Sequence, residues 1–147
     1  MEKNKILIVD DNEQNRDLLE AHLCEFDAEL EFAIDGADAL AKTAAFSPDL
    51  ILLDVMMPKL SGFEVCKQLK NSPETKNIMV LMVTALNELG DIERAVDAGT
   101  NDFLSKPFTR IELIKRVQNL LLLKDVSDEN ERLRQYIQKM EEESVVN

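Results

Sequence analysis

The chain has 147 residues, 45% of them hydrophobic, which is enough for one domain of ordinary size to bury a full core without disulfides or structural metal. Its formal net charge of -12 argues against a nucleic-acid-binding surface, because phosphate contacts need clustered Lys and Arg, but permits a small phosphorylated ligand held through a metal. No apolar stretch approaches the roughly 20 residues of a membrane span, and the first strand begins too early for a signal peptide, so we expect a cytoplasmic protein that does not contact membranes.

Apolar runs typical of buried strands alternate five times with patterns typical of helices. The runs cover residues 6–9, 28–33, 50–53, 78–83 and 102–104. Helical spacing of apolar residues covers 18–26, 37–46, 63–69, 89–96 and 111–121. Gly99 is the expected C-terminal cap of the fourth helix, and Thr109 the expected N-cap of the fifth. This alternation predicts right-handed crossovers and a doubly wound α/β sandwich with a five-stranded parallel sheet. The last strand is short and weakly apolar, so we expect it at the sheet edge.

The two thiols, Cys24 and Cys66, fall in predicted helices and belong to no CxxC pair or Cys/His cluster. We expect both to be small buried apolar residues, in a reducing compartment, with no redox or metal role.

After Leu123 the composition becomes mostly polar, which places a domain at residues 1–123 and an extension at residues 124–147. Apolar residues continue there at alternating spacings of three and four, which makes a heptad seam. The seam comprises Leu123, Val126, Asn130, Leu133, Ile137 and Met140. Asn130 in a core position favours a defined register and a parallel two-stranded state. The extension is therefore interpreted as a dimeric coiled coil that continues the fifth helix without a loop. A single amphipathic helix that packs back on the domain is the alternative.

Three carboxylates follow two of the predicted strands: Asp10 and Asp11 end the run at 6–9, and Asp54 ends the run at 50–53. Ligand sites of such sheets lie at the carboxyl ends of the strands, so the three side chains are expected at one edge. Carboxylates so close together repel each other unless a cation lies among them. The pattern predicts a Mg2+ site in which one carboxylate is also positioned to attack phosphorus and form an aspartyl phosphate.

Two further residues suited to phosphate follow the last two strands. The hydroxyl of Thr84 can donate to a phosphoryl oxygen, and the ammonium of Lys106 is a compact positive charge. Either residue alone is weak support, but polar groups of this kind at the ends of four strands are hard to ascribe to chance.

Residues 3 to 123 resemble the receiver domain of two-component response regulators, the chemotaxis-type, flavodoxin-like fold. The resemblance rests on the acid pair Asp10-Asp11, the segment 54–58 followed by Ser61-Gly62, Thr84-Ala85, and Lys106-Pro107. It implies that Asp54 is the phosphoacceptor and that the metal ligands are Asp10, Asp11, Asp54 and the backbone carbonyl of Met56. It also implies phosphoryl contacts from Thr84 and Lys106, a cis bond between Lys106 and Pro107, and a sensor histidine kinase or phosphotransfer protein as partner.

The resemblance further implies a switch in which Thr84 moves toward the phosphoryl group and Phe103 fills the space that it leaves. Phe103 has no hydroxyl, so this switch depends on ring packing alone; an ordinary core residue is the alternative. The output surface is then the fourth helix, last strand and fifth helix. Apolar side chains at Met56 and Leu86 imply that water is poorly positioned, so we expect slow self-dephosphorylation. The protein is then not an enzyme in the usual sense, since it catalyses only its own phosphorylation and dephosphorylation.

Three other functions compete with this one. A phosphatase with an aspartyl phosphate intermediate typically needs a carboxylate two residues after the nucleophile, where Met56 stands. A flavodoxin-like nucleotide binder needs a first loop rich in Ser, Thr and Gly, but residues 10–13 are acidic or amide. A dimerisation module that has lost phosphorylation would not need the five polar residues. By the resemblance, receivers that lead into such a helix often precede an output domain, for example one that makes or degrades cyclic dinucleotides. We therefore expect the N-terminal regulatory part of a longer regulator.

Overall fold

In the computed structural model, residues 3–85 and 88–146 are described, with side chains through residue 143. Five parallel strands form one sheet in the order β2-β1-β3-β4-β5. The strands are β1 (Asn4–Val9), β2 (Ala28–Ala33), β3 (Leu50–Leu53), β4 (Met79–Thr84) and β5 (Asp102–Ser105). The helices are α1 (Glu13–Leu23), α2 (Gly36–Phe46), α3 (Gly62–Lys70), α4 (Leu89–Ala98) and α5 (Arg110–Val146). The predicted α/β class, the parallel sheet and the edge position of the last strand are confirmed.

The central strands are apolar along their whole length because helices cover both faces of the sheet. All four residues of β3 and all six of β4 are buried. A strand covered on one face only would alternate apolar and polar residues, so these continuous apolar runs indicate a doubly covered sheet. The edge strand β2 alternates partly, with Glu29 and Glu31 among its residues.

Each face of the sheet has its own apolar core. On one face, α2, α3 and α4 bury residues such as Ala39, Val65, Cys66 and Ala95 against the sheet. On the other face, α1 and α5 bury residues that include Leu19, Leu23, Leu113, Val117 and Leu120. Crossovers to alternate faces of one sheet produce this three-layer arrangement, which leaves the carboxyl ends of the strands free for a site.

Helix boundaries follow local capping chemistry. The side chain of Asn12 accepts from the Asn15 amide at 3.1 Å and starts α1. Gly99 ends α4 in the left-handed conformation, with φ of 92°, and Thr109 Oγ1 accepts from the Glu112 amide at 3.1 Å. The predictions for Gly99 and Thr109 are therefore confirmed.

Some details differ from the sequence-based expectations, beginning with β4, which covers Met79–Thr84 and not 78–83. The first helix begins at Glu13 and ends at Leu23, so Phe26 lies beyond it, although it still packs against the α1–α5 core. Cys66 is fully buried as expected, but Cys24 is exposed. Cys24 is the C-cap residue of α1, where the chain turns away from the core, and a position at a helix end is not revealed by apolar spacing alone.

The fifth helix is a continuous element of 37 residues, about 55 Å long at 1.5 Å per residue. Its first turns are partly buried against the sheet, and in its later turns the seam side chains are exposed. Val126 and Ile137 are each 47% exposed, and Leu133 is 57% exposed. Asn77 of the domain donates to Glu131 of the extension at 2.9 Å, beyond the last buried residue of the helix, Leu121. Among helices in residues 3–85 and 88–146, none combines the length and hydropathy needed to span a bilayer.

Gly62 begins α3 directly against the strand that precedes it. Its amide donates to the Val55 carbonyl at 3.0 Å. A Cβ atom at this position would lie 2.4 Å from the Asp54 carbonyl oxygen and 2.7 Å from the Val55 Cα atom, both of them backbone atoms. The absence of a side chain is therefore what lets α3 start this close to the end of β3.

Gly62→Ala is expected to lower the free energy of unfolding by about 2–3 kcal/mol, because backbone atoms must move to admit the methyl group. Gly90→Ala is the matched control inside α4, where a Cβ atom would have no heavy atom of the described residues within 4 Å. Because Gly90 is the second residue of α4, this variant is expected to raise the free energy of unfolding by less than the ~1 kcal/mol of a helix-interior position. Urea unfolding followed by circular dichroism measures both, and equal stability of the two variants would contradict the argument.

Candidate functional site

The carboxyl ends of four strands deliver polar side chains to one edge of the sheet. Asp10 follows β1, Asp54 follows β3, Thr84 ends β4 and Lys106 follows β5. The backbone joins these ends directly, since the Asp54 amide donates to the Val9 carbonyl at 3.0 Å and the Lys106 amide to the Thr84 carbonyl at 2.8 Å. Parallel register therefore brings together residues that are up to 96 positions apart in the sequence.

Three carboxylates form the centre of the site. Oxygen atoms of Asp10, Asp11 and Asp54 all lie within 4.8 Å of one another. Asp10 is 1% exposed and Asp54 is 8% exposed, whereas Asp11 is open to solvent. Two buried acids and one exposed acid therefore place several carboxylate oxygens in a small space that solvent reaches at Asp11.

The carboxylate of Asp10 is oriented by neighbours on both of its oxygens. The Asn12 amide donates to Oδ1 at 2.9 Å, and Lys106 Nζ lies 3.4 Å from Oδ2. In addition, Arg16 Nη1 donates to the main-chain carbonyl of Asp10 at 2.7 Å. Asn12 and Arg16 were not among the predicted site residues; the sequence signal for Asn12 is a capping residue directly after an acid pair.

Asp54 carries an unfavourable charge in the folded protein. Burial raises the pKa of its carboxyl above the usual value, and the nearby Asp10 carboxylate raises it further. Lys106, the Met56 amide and the Thr84 hydroxyl oppose this increase in the pKa. The Met56 amide donates to Asp54 Oδ1 at 3.3 Å. A bound cation would remove the cause of the repulsion, so the electrostatics of the site favour a positive ligand.

The remaining predicted site residues have different surroundings. Thr84 is fully buried, and the bond between Lys106 and Pro107 is cis. Phe103 is half-buried and packs against the core formed with α2, α3 and α4. The Met56 side chain is 60% exposed beside the site, and Leu86 lies outside the described residues.

The donor set is suited to a hard divalent cation. Mg2+ prefers oxygen ligands and binds through one or two carboxylates, with water and phosphate oxygens as further ligands. Carboxylate oxygens are the metal-ligating atoms that this cluster offers, and the cluster contains no thiol or imidazole. The residues present therefore fit Mg2+, and a carboxylate beside such a metal is suited to phosphoryl transfer.

Comparison with known proteins agrees with this geometry. Residues 6–118 match the response regulator receiver domain family. The chain is 47% identical to the response regulator PleD of Caulobacter vibrioides over 125 residues, which is 85% of this chain and 28% of that protein. It is 40% identical to the DNA-binding dual master transcriptional regulator RpaA of Synechocystis over 80% of this chain and 48% of RpaA. The chain thus spans between about a quarter and half of the length of these relatives.

Solved structures of similar chains have the same fold. A putative response regulator from Chloroflexus aurantiacus is 35% identical, with a TM-score of 0.78 over 82% of this chain and 99% of that one. The chemotaxis protein CheY4 of Vibrio cholerae is 32% identical, with a TM-score of 0.76 over 81% of this chain and 99% of that one. The chain therefore belongs to the response regulator receiver domain family, whose members are phosphoacceptor switches of two-component signalling.

Proposed function

We propose that this protein accepts a phosphoryl group on Asp54, with Mg2+ bound by Asp10, Asp11, Asp54 and the Met56 carbonyl. The donor is a phosphohistidine of a sensor histidine kinase or of a phosphotransfer protein. The observation that carries the proposal is the meeting of three carboxylates, a buried hydroxyl and an ammonium group at the ends of four parallel strands. The proposal extends to residues 1–123 as the receiver domain.

In the transfer step, an oxygen of Asp54 attacks phosphorus and the bond between phosphorus and the donor histidine nitrogen breaks. The products are an acyl phosphate on Asp54 and a neutral imidazole on the donor after proton uptake. Mg2+ supplies charge neutralisation for the phosphoryl oxygens when it is bound. Lys106 is already held near the acid cluster, 3.4 Å from Asp10, so its ammonium is available to a phosphoryl oxygen.

Phosphorylation then biases a switch made of Thr84 and Phe103. The Thr84 hydroxyl turns toward the phosphoryl group, and the ring of Phe103 moves into the space that it leaves. Support comes from the register of the sheet, in which Phe103 pairs with Met82, two residues before Thr84 on β4. Because Phe103 is only half-buried, its ring has room to change its packing without opening the core.

The extension at residues 124–147 carries the signal through a homodimer, in this proposal. The exposed seam on a helix continuous with the domain supports pairing with a second copy. The pairing is parallel, with Leu123, Asn130 and Ile137 at one core position and Val126, Leu133 and Met140 at the other. Slow self-dephosphorylation and a cytoplasmic location complete the proposal.

Incubation with Mg2+ and acetyl phosphate is expected to add one phosphoryl group, seen by intact mass. Asp54→Asn is expected to abolish the addition, because the nucleophilic oxygen is lost. Asp97→Asn, on the exposed face of α4, is the matched control and is expected to react like the parent. A folded parent that gains no phosphoryl group, or an Asp54→Asn variant that still does, would refute the assignment.

In metal-free buffer, Asp54→Asn is expected to be more stable than the parent at about pH 7.5. The raised pKa means that the folded protein holds the Asp54 proton more tightly than the unfolded chain, so ionisation costs stability as pH rises through that pKa. At about pH 4 and below, where the unfolded chain also holds the proton, the difference should shrink. Thermal unfolding in EDTA across this range measures the difference. A stability difference between variant and parent that grows as pH falls would contradict the expected direction. At neutral pH, Mg2+ should reduce this difference by stabilising the parent.

Replacing Leu133 and Ile137 together by Gln is expected to convert the dimer into a monomer, because both side chains belong to the seam. Replacing Arg132 and Lys139 by Gln changes the outer face of the same helix and should leave the dimer intact. Light scattering after gel filtration measures the mass of each species. A dimer that persists in the seam variant would exclude the coil as the dimerising element.

A further inference from the structure

Arg16 lies in the first turns of α1 and reaches back to the end of β1. Its Nη1 atom donates to the Asp10 carbonyl at 2.7 Å, a short, charge-assisted hydrogen bond. The side chain is half-buried, so solvent does not readily replace this bond. Arg16 is neither a ligand of the proposed Mg2+ site nor a group that contacts the phosphoryl oxygens in the proposed transfer.

Arg16 completes a set of contacts that immobilise Asp10. The Asp10 amide donates to the Ala33 carbonyl at 3.1 Å, and its Oδ1 accepts from the Asn12 amide at 2.9 Å. Arg16 holds the remaining main-chain polar group, the carbonyl that leads into Asp11. That bond restricts rotation of the peptide group between Asp10 and Asp11, from which both acidic residues leave the backbone.

The geometry and the charge of Arg16 have opposite effects on a bound cation. As a positive charge near the acid cluster, Arg16 disfavours Mg2+ by Coulomb repulsion. As a donor to the Asp10 carbonyl, Arg16 bonds the main chain between Asp10 and Asp11. This bond does not use the carboxylate oxygens of Asp10. Residues that orient metal ligands typically change metal affinity by roughly 10- to 100-fold when they are lost.

We propose that Arg16 is a positioning residue, which holds the acid pair in the geometry that binds Mg2+. This inference rests on the proposed function, because it concerns the same metal site. The direction of the change in Mg2+ affinity distinguishes this role from a charge effect. Loss of the hydrogen bond weakens Mg2+ binding, whereas loss of the positive charge alone strengthens it.

The test is calorimetric titration of the full chain with Mg2+ at neutral pH. Arg16→Met keeps the aliphatic stem and removes the donors, so Mg2+ is expected to bind roughly tenfold more weakly. Arg16→Lys keeps the charge and one donor group, and a smaller loss of a few-fold is expected. Arg132→Met is the matched control, because Arg132 also donates to a main-chain carbonyl, that of Asp128 on the exposed extension. This variant is expected to bind Mg2+ with the affinity of the parent.

Affinity equal to or tighter than that of the parent in Arg16→Met would overturn the inference. Circular dichroism of the metal-free proteins verifies folding. If Arg16→Met does not fold, Arg16→Gln decides, because Gln removes the charge and is too short to reach the Asp10 carbonyl as Arg does. Parental or tighter affinity in that variant overturns the inference, and a loss supports it. A parent that does not bind Mg2+ overturns the proposed metal site and this inference together. A parent that binds Mg2+ beside an unaffected Arg16→Met variant overturns this inference alone.

Discussion

Repulsion among three carboxylates held at one sheet edge is the interaction on which the rest of this molecule depends. Asp10, Asp11 and Asp54 lie within 4.8 Å of one another, and two of them are buried. The sheet can hold them there because the strand ends are joined by backbone hydrogen bonds and by apolar cores on both faces. The stability of the scaffold therefore maintains an electrostatically unfavourable site, whose repulsion a bound cation would reduce.

The same scaffold links the site to the long helix. Lys106 follows β5, and only three residues separate it from Arg110, where α5 begins. Helix α5 is buried on the domain through Leu121 and then continues with its seam exposed. Phe103 lies on β5 next to this connection, so the strand that carries the proposed switch residue leads directly into the helix that carries the proposed seam.

Elements with strong local patterns are the ones that the sequence predicts well. The strand at 50–53 was recognisable because burial on both faces demands an uninterrupted apolar run, and four consecutive branched residues satisfy it. The continuation of the fifth helix past Leu123 was recognisable because apolar residues keep helical spacing there without an intervening loop. The predicted bounds of α1 were less accurate. Its first turn, residues 13–16, is polar, and only the N-cap contact of Asn12 reveals that the helix begins there. The exposure of Cys24 was missed because it depends on where the chain leaves the helix.

The sequence by itself determined the alternation of strands and helices, the chemical identity of the candidate site residues and the heptad seam. These properties depend on local periodicity and on residue type at strand ends, which are readable without coordinates. Only the tertiary structure decided that Lys106 faces Asp10 at 3.4 Å, that Gly62 must lack a side chain, and that Arg16 holds the Asp10 carbonyl. Such contacts depend on strand register and on the entry angle of each helix, and these are set by the packing of the whole domain.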